Sequence, residues 1–196
     1  MRASFLLMER NVEIIQPWKT EIAHFNVADR FDMEAYAEEI FLLFTMTQGE
    51  DASQVKVLRD VMPLIIEIRD DVITPAVKEF SKHVFGTSME EFYVETNGKW
   101  IESGEGLYPH YHPGSVLSAI CYPSDSANGL NMFDPRGNAC RGYPKPMRQF
   151  HFGNYRISPK AGDVYIFPSY IQHSVTHVTE EMRLSLLHEY YVVKDL

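Results

Sequence analysis

The chain has little sulfur available for cross-linking: Cys121 and Cys140 are its two cysteines. That is too few for a disulfide framework, so both read as structural or solvent-facing thiols. No apolar run is long enough to cross a bilayer. The apolar stretch in Met1-Arg-Ala-Ser-Phe-Leu-Leu-Met8 is too short for a signal peptide before Glu9-Arg10. Positive charge is also scarce. Lys and Arg number 18 against 27 Asp and Glu, for a net charge of −9, and no basic stripe is present. A nucleic-acid-binding surface is therefore not expected. The expected setting is cytoplasmic and reducing, with no membrane partner. No internal repeat or low-complexity linker divides the chain, so residues 1–196 read as one domain.

What is present changes character near residue 90. Val12 to Val27 reads as one or two short strands. Asp32 to Phe44 has helical periodicity, with Met33, Tyr36, Ile40 and Phe44 on one stripe and Asp32 as its N-cap. After the polar break Gln48–Ser53, a second helical region runs from about Val55 to Phe85. Pro63 and Pro75 split or kink it, and Gly86 stops it. Glu67, Asp70 and Asp71 read as a solvated face. From Glu91 onward, short β-type runs follow: Phe92–Val94, Lys99–Ile101, Val116–Tyr122, Leu130–Phe133, Gln149–Phe152, Val164–Phe167, His173–Val178 and Leu184–Val193. Asn97-Gly98, Asn128-Gly129 and Gly153-Asn154 are turn signals between them. This pattern predicts an α+β fold: a double-stranded β-helix, or jelly roll, over 91–196, with helical support from 1–90 packed on one sheet.

Chemistry concentrates in the second half. Tyr108-Pro-His-Tyr-His-Pro-Gly114 holds His110 and His112 at i and i+2, which share a face on extended chain. Tyr108 and His112 each precede a proline, which favours that extended geometry. His173 closes a later strand, and Arg183 sits in the apolar run Met182-Arg-Leu-Ser-Leu-Leu187. Imidazole suits iron, zinc, copper and nickel, and a fixed arginine fork matches a carboxylate. Taken as a strictly regular strand, this run is expected to set Arg183 and Ser185 on opposite faces, so a shared pocket would need a twist or bulge. His151, His177 and His188 lack ligand-like spacing and read as structural histidines.

These motifs resemble the 2-oxoglutarate/Fe(II)-dependent oxygenases, and within them the small enzymes of bacteria and phages. The resemblance rests on His110 to Ser118, Ile120-Cys-Tyr122, Asp134-Pro-Arg136, Gly162 to Ser169, His173 and Arg183-Leu-Ser185, within Gly104–Tyr191. It implies a jelly roll whose open end holds Fe(II), with His110 as the first family histidine and His173 as the distal one. Arg183 corresponds to the cation that takes the far carboxylate of 2-oxoglutarate, and Ser185 and Tyr122 to positions that add hydrogen bonds there. The family's second ligand is an acid, whereas this chain has His112. His112 as a third histidine ligand is favoured. Asp134 as the carboxylate ligand, or His112 behind the ligands with water in its place, are the alternatives. Tyr108, Tyr111 and Arg136 are candidate substrate contacts, with Phe133 and Tyr170 also near the mouth.

The implied activity is hydroxylation of a small-molecule or peptide substrate, such as a prolyl side chain, using O2 and 2-oxoglutarate as co-substrate. Two rivals remain. Gly104 to His112 also resembles the first motif of cupin metalloenzymes that do not use 2-oxoglutarate, although Ser115–Ala119 lacks their glutamate and Arg183 has no role there. A non-enzymatic jelly-roll binding module is the other.

Overall fold

Alternation along the strands divides the molecule into layers. The computed structural model describes residues 20–47, 61–136, 144 and 154–193. Cys140, His151, the expected strand at 149–152 and most of the expected N-terminal strand region lie outside them. Among the described residues, one antiparallel sheet has the order β1 (Ala23–Asn26), β7 (Asp163–Pro168), β4 (Leu117–Cys121), β9 (Met182–Val192), β2 (Phe92–Glu102). A second antiparallel sheet runs β3 (Leu107–His110), β8 (His173–Val175), β5 (Leu130–Met132), β6 (Tyr155–Arg156). This is the expected α+β jelly roll.

The first sheet has two buried faces with different neighbours. Leu117, Ala119, Cys121, Val164, Ile166, Leu184, Leu186 and Tyr190 pack into one core with the helices. Ile120, Tyr122, Tyr165, Phe167 and Leu187 pack into another with Leu130, Met132 and Val175 of the second sheet. Period-two side-chain direction produces both cores from the same strands.

The helices behave largely as their sequences require. Asp32 caps α1 (Met33–Thr47), its Oδ1 accepting from Glu34 N at 3.0 Å and Ala35 N at 3.1 Å. Pro63 opens α2 (Pro63–Ile68), whose free N–H groups are met from another helix: Leu64 N and Ile65 N donate to the Glu39 carboxylate of α1. The chain continues through a π turn at Arg69–Ile73 into α3 (Thr74–Phe85). That widened turn falls just before Pro75, which has no N–H to return to the preceding turn. Gly86 ends α3 at φ 75°, its N–H bonded to Lys82 O.

Asn97-Gly98 is not a turn. The two expected runs flanking it form one strand, β2, with Asn97 and Gly98 paired to Leu187 and Leu186. The glycine serves a close approach instead: a Cβ there would lie 2.9 Å from Ile40 O and 3.3 Å from Phe44 N of α1. Gly129 is a similar case, since its missing Cβ would overlap the Ile157 backbone.

Candidate functional site

The second sheet and the loop after it bring the three histidines together. His110, at the end of β3, pairs with His173, at the start of β8. His112 follows β3 in a loop whose backbone is tied down, His112 N donating to Ser169 O at 3.1 Å. Their ligand nitrogens all lie within 4.8 Å of one another. His173 is buried and the other two are half-buried.

Each ring is oriented from behind. Nδ1 of His110 lies 2.7 Å from Tyr108 O, and Nδ1 of His173 lies 2.9 Å from Ile171 O. A carbonyl accepts only, so these rings carry the proton on Nδ1 and leave Nε2 with a lone pair. Nδ1 of His112 faces a carboxylate, Glu189 Oε1, at 3.1 Å. The Nε2 atoms of His112 and His173 stand 3.2 Å apart. Nitrogen ligands about 2.1 Å from a shared ion would be about 3.0–3.4 Å apart across octahedral to tetrahedral angles. The donor set therefore fits a divalent transition metal. Burial, first, and the neighbouring histidines hold the His173 ring at about 4, so it is neutral near pH 7, as a ligand must be.

The cleft containing these rings is lined on its other side by the first sheet, with Lys99, Ile120, Arg183, Ser185 and Leu187 opposite Leu107, Leu130 and Val175. Arg183 is 3 % exposed. One Nη2–H donates to Tyr122 Oη at 3.1 Å, the guanidinium lies 5.1 Å from the Tyr122 ring centre, and Nε has no partner. Among the described residues no carboxylate pairs with it. Burial raises the Tyr122 phenol above its ordinary value, partly offset by Arg183, so Tyr122 stays a neutral prop for the guanidinium. It does not itself line the cleft.

Arg183 and Ser185 both line the cleft, correcting the expectation of opposite faces. Residues two apart on a regular strand share a side, and β9 needs no bulge to bring them together. Asp134 is not among the grouped histidines; its carboxylate is held by the fork of Arg136, which keeps it below the usual carboxylate range. Tyr108 is 91 % exposed, and Tyr111 and Tyr170 are also exposed. His188 is buried against Thr96, its Nδ1 3.0 Å from the Thr96 hydroxyl, and contributes to no metal group.

Two residues of the site escaped the sequence reading. Glu189 shares the parity of Arg183, Ser185 and Leu187, so an acid on that inward face was the available signal. Lys99 reaches the cleft because β2 sets it opposite Ser185. That register is a long-range fact with no local mark.

Residues 99–188 match the family described as "Putative 2OG-Fe(II) oxygenase". The match runs from within β2 to within β9, so it is the stretch bearing the three histidines and Arg183 that is similar to this family. Among solved structures, a prolyl-4-hydroxylase of Pseudomonas putida is similar with a TM-score of 0.58 at 16% identity, covering 89% of each chain. The viral collagen prolyl hydroxylase vCPH of Paramecium Bursaria Chlorella virus-1, solved as a 2-oxoglutarate complex, gives 0.56 at 13% identity over 88% of this chain and 96% of that one. HygX of Streptomyces hygroscopicus, with nickel and 2-oxoglutarate bound, gives 0.58 at 14% identity over 89% and 83%. At these identities the likeness establishes the shared fold. No curated protein sequence matches the chain. Among the described residues no helix is long and apolar enough to cross a membrane.

Proposed function

We propose that the protein is a 2-oxoglutarate- and Fe(II)-dependent dioxygenase in which His110, His112 and His173 hold the iron and Arg183 takes the far carboxylate of 2-oxoglutarate. The observation that carries this reading is Arg183: a buried cation, unpaired with any described carboxylate, in the same cleft as three converging imidazoles. Burying an unpaired guanidinium is unfavourable, and a dicarboxylate bridging cation and metal would relieve it. Ser185 adds a hydroxyl on the same wall, Tyr122 fixes the guanidinium plane, and Lys99 adds positive charge. Leu107, Ile120, Leu130, Val175 and Leu187 keep water away from the reacting centre.

When bound, the iron supplies the redox chemistry by which 2-oxoglutarate and O2 become succinate and CO2 while the second oxygen atom passes to substrate as hydroxyl. A peptide or protein side chain such as proline is the proposed acceptor. In support stand the exposed Tyr108 and Tyr111 beside the histidines and the two prolyl hydroxylases among the similar folds.

Anaerobic addition of Fe(II) and 2-oxoglutarate tests the reading. A visible charge-transfer band is expected, and it should vanish in Arg183→Ala. Iron binding without a band would favour a cupin-type centre independent of 2-oxoglutarate. Absence of iron binding would favour a non-enzymatic module.

A further inference from the structure

The ligand set proposed above has an electrostatic gap. Three neutral imidazoles bring no negative charge to a divalent ion, and among the described residues no carboxylate joins their group. Yet one carboxylate is buried directly behind them. Glu189 is 9 % exposed, and its Oε1 lies 3.1 Å from His112 Nδ1, on the side of the ring away from His173. The same oxygen accepts from Tyr191 Oη at 3.3 Å, and Oε2 from Asn97 Nδ2 at 3.5 Å. Strand pairing sets Glu189 between Glu95 of β2 and Ser118 of β4, so its backbone is fixed on both sides.

We propose that Glu189 is a positioning residue of the metal site: it holds the proton of His112 on Nδ1, aims Nε2 at the ion, and supplies through the ring the negative charge that no ligand provides. This role rests on His112 being a metal ligand. His110 and His173 are oriented by carbonyl oxygens, which fix the tautomer but carry no full charge. His112 alone of the three has a carboxylate behind it. A carboxylate accepting from a ligand's distal N–H raises the basicity of the coordinating nitrogen and locks the ring plane. The acid missing from the coordination sphere is thereby displaced by one imidazole. The role also accounts for Tyr191 and Asn97, which place the carboxylate and stand half-buried beside it.

The test is cobalt(II) titration of the metal-free full-length protein, following the visible d–d absorption and obtaining Kd by chelator competition. Glu189→Ala is expected to weaken cobalt binding about 10–100-fold and to shift the absorption envelope. Glu189→Gln keeps an oxygen acceptor for Nδ1–H but removes the charge. It should restore the wild-type envelope while leaving affinity reduced. Thermal unfolding of each metal-free variant establishes that it is folded, and Glu189→Gln carries the comparison if the alanine variant is not. A folded Glu189→Ala, or failing that Glu189→Gln, with wild-type Kd and spectrum would overturn the role of Glu189 and leave the three-histidine site intact. If the wild-type protein takes up no cobalt, the metal site itself is overturned, and this role with it.

Discussion

Two faces of one strand do different work. Along β9, Leu184, Leu186, His188 and Tyr190 alternate with Arg183, Ser185, Leu187 and Glu189. The first set is sealed under the helices, where shape decides its worth; the second faces the cleft and carries almost all the strand's charge. Both sets are buried. Burial therefore does not distinguish structure from function here, but charge does. The helix-facing set carries none: Tyr190 reaches Thr74 Oγ1 at 3.1 Å, and burial holds His188 neutral, its Nε2 without a partner. On the cleft side Arg183 keeps an unpaired Nε and Glu189 is spent on a histidine. A face retained with an unsatisfied cation is one that stability alone would have replaced with apolar residues.

Crossed substitutions break this comparison most directly. Leu186→Ala, at a fully buried site under the helices, should lower unfolding free energy by about 2–5 kcal/mol while leaving 2-oxoglutarate affinity in the folded protein unchanged. Arg183→Met should do the reverse. Ligand-free stability is expected to hold or rise, because a buried charge lacking a counter-charge is removed. Affinity for 2-oxoglutarate should fall by about 2–5 kcal/mol, the usual loss when one partner of a buried charge pair is truncated. Urea unfolding and calorimetric titration of the same two proteins give all four quantities. A destabilised Arg183→Met with unchanged affinity would make Arg183 part of the scaffold and dissolve the distinction between the faces.

The alternation that separates these faces is also what made the fold legible. Short β-type runs, helical periodicity before them and Asp32 at a helix start all follow from side-chain direction and local capping, which act over a few residues. His110 and His112 could be singled out because two prolines and the i, i+2 spacing announce an extended setting, and Arg183 because it interrupts an apolar run; the roles of His173 and Arg183 came from the family resemblance. The failures are non-local. Asn97-Gly98 has turn chemistry, but its glycine answers a helix passing over the sheet. Glu189 and Lys99 acquire meaning from the β2–β9 register and from a histidine dozens of residues away. Arg183 and Ser185, two apart on β9, share a face because strand side chains alternate with period two, a relation that is fully local.

That helix contact gives a smaller effect on the helix-facing side. Gly98→Ala places a methyl 2.9 Å from the Ile40 carbonyl oxygen, a backbone atom that cannot swing aside. Either α1 lifts or β2 bows, and a loss of about 1–3 kcal/mol is expected from this overpacking. Since Lys99 and the cleft lie on the other side of β2, 2-oxoglutarate affinity should change little. A stability equal to wild type would mean that α1 is loosely seated and that the helix-facing core is less rigid than its burial implies.

The smallest effect separates the faces by pH. His188 is fully buried on the helix side, and its ring is held down at about 3, chiefly by burial and then by the charge of Arg69. The unfolded chain protonates this histidine near 6.5, so below that pH the unfolded state binds a proton that the native state refuses, and stability falls as pH falls. The loss begins near 6.5, reaches roughly 1 kcal/mol by pH 5.5 and continues until the native ring protonates near 3. His173, held at about 4, adds a loss of the same sign from the cleft side in the metal-free protein. A metal bound at His173 must compete with protons there, whereas His188 is indifferent to the metal. Subtracting the unfolding profile of His188→Leu from that of wild type should therefore leave a slope between pH 6.5 and 5.5 that is the same with and without cobalt. A slope that changes with cobalt would couple the two faces through β9, and the strand could no longer be treated as two independent surfaces.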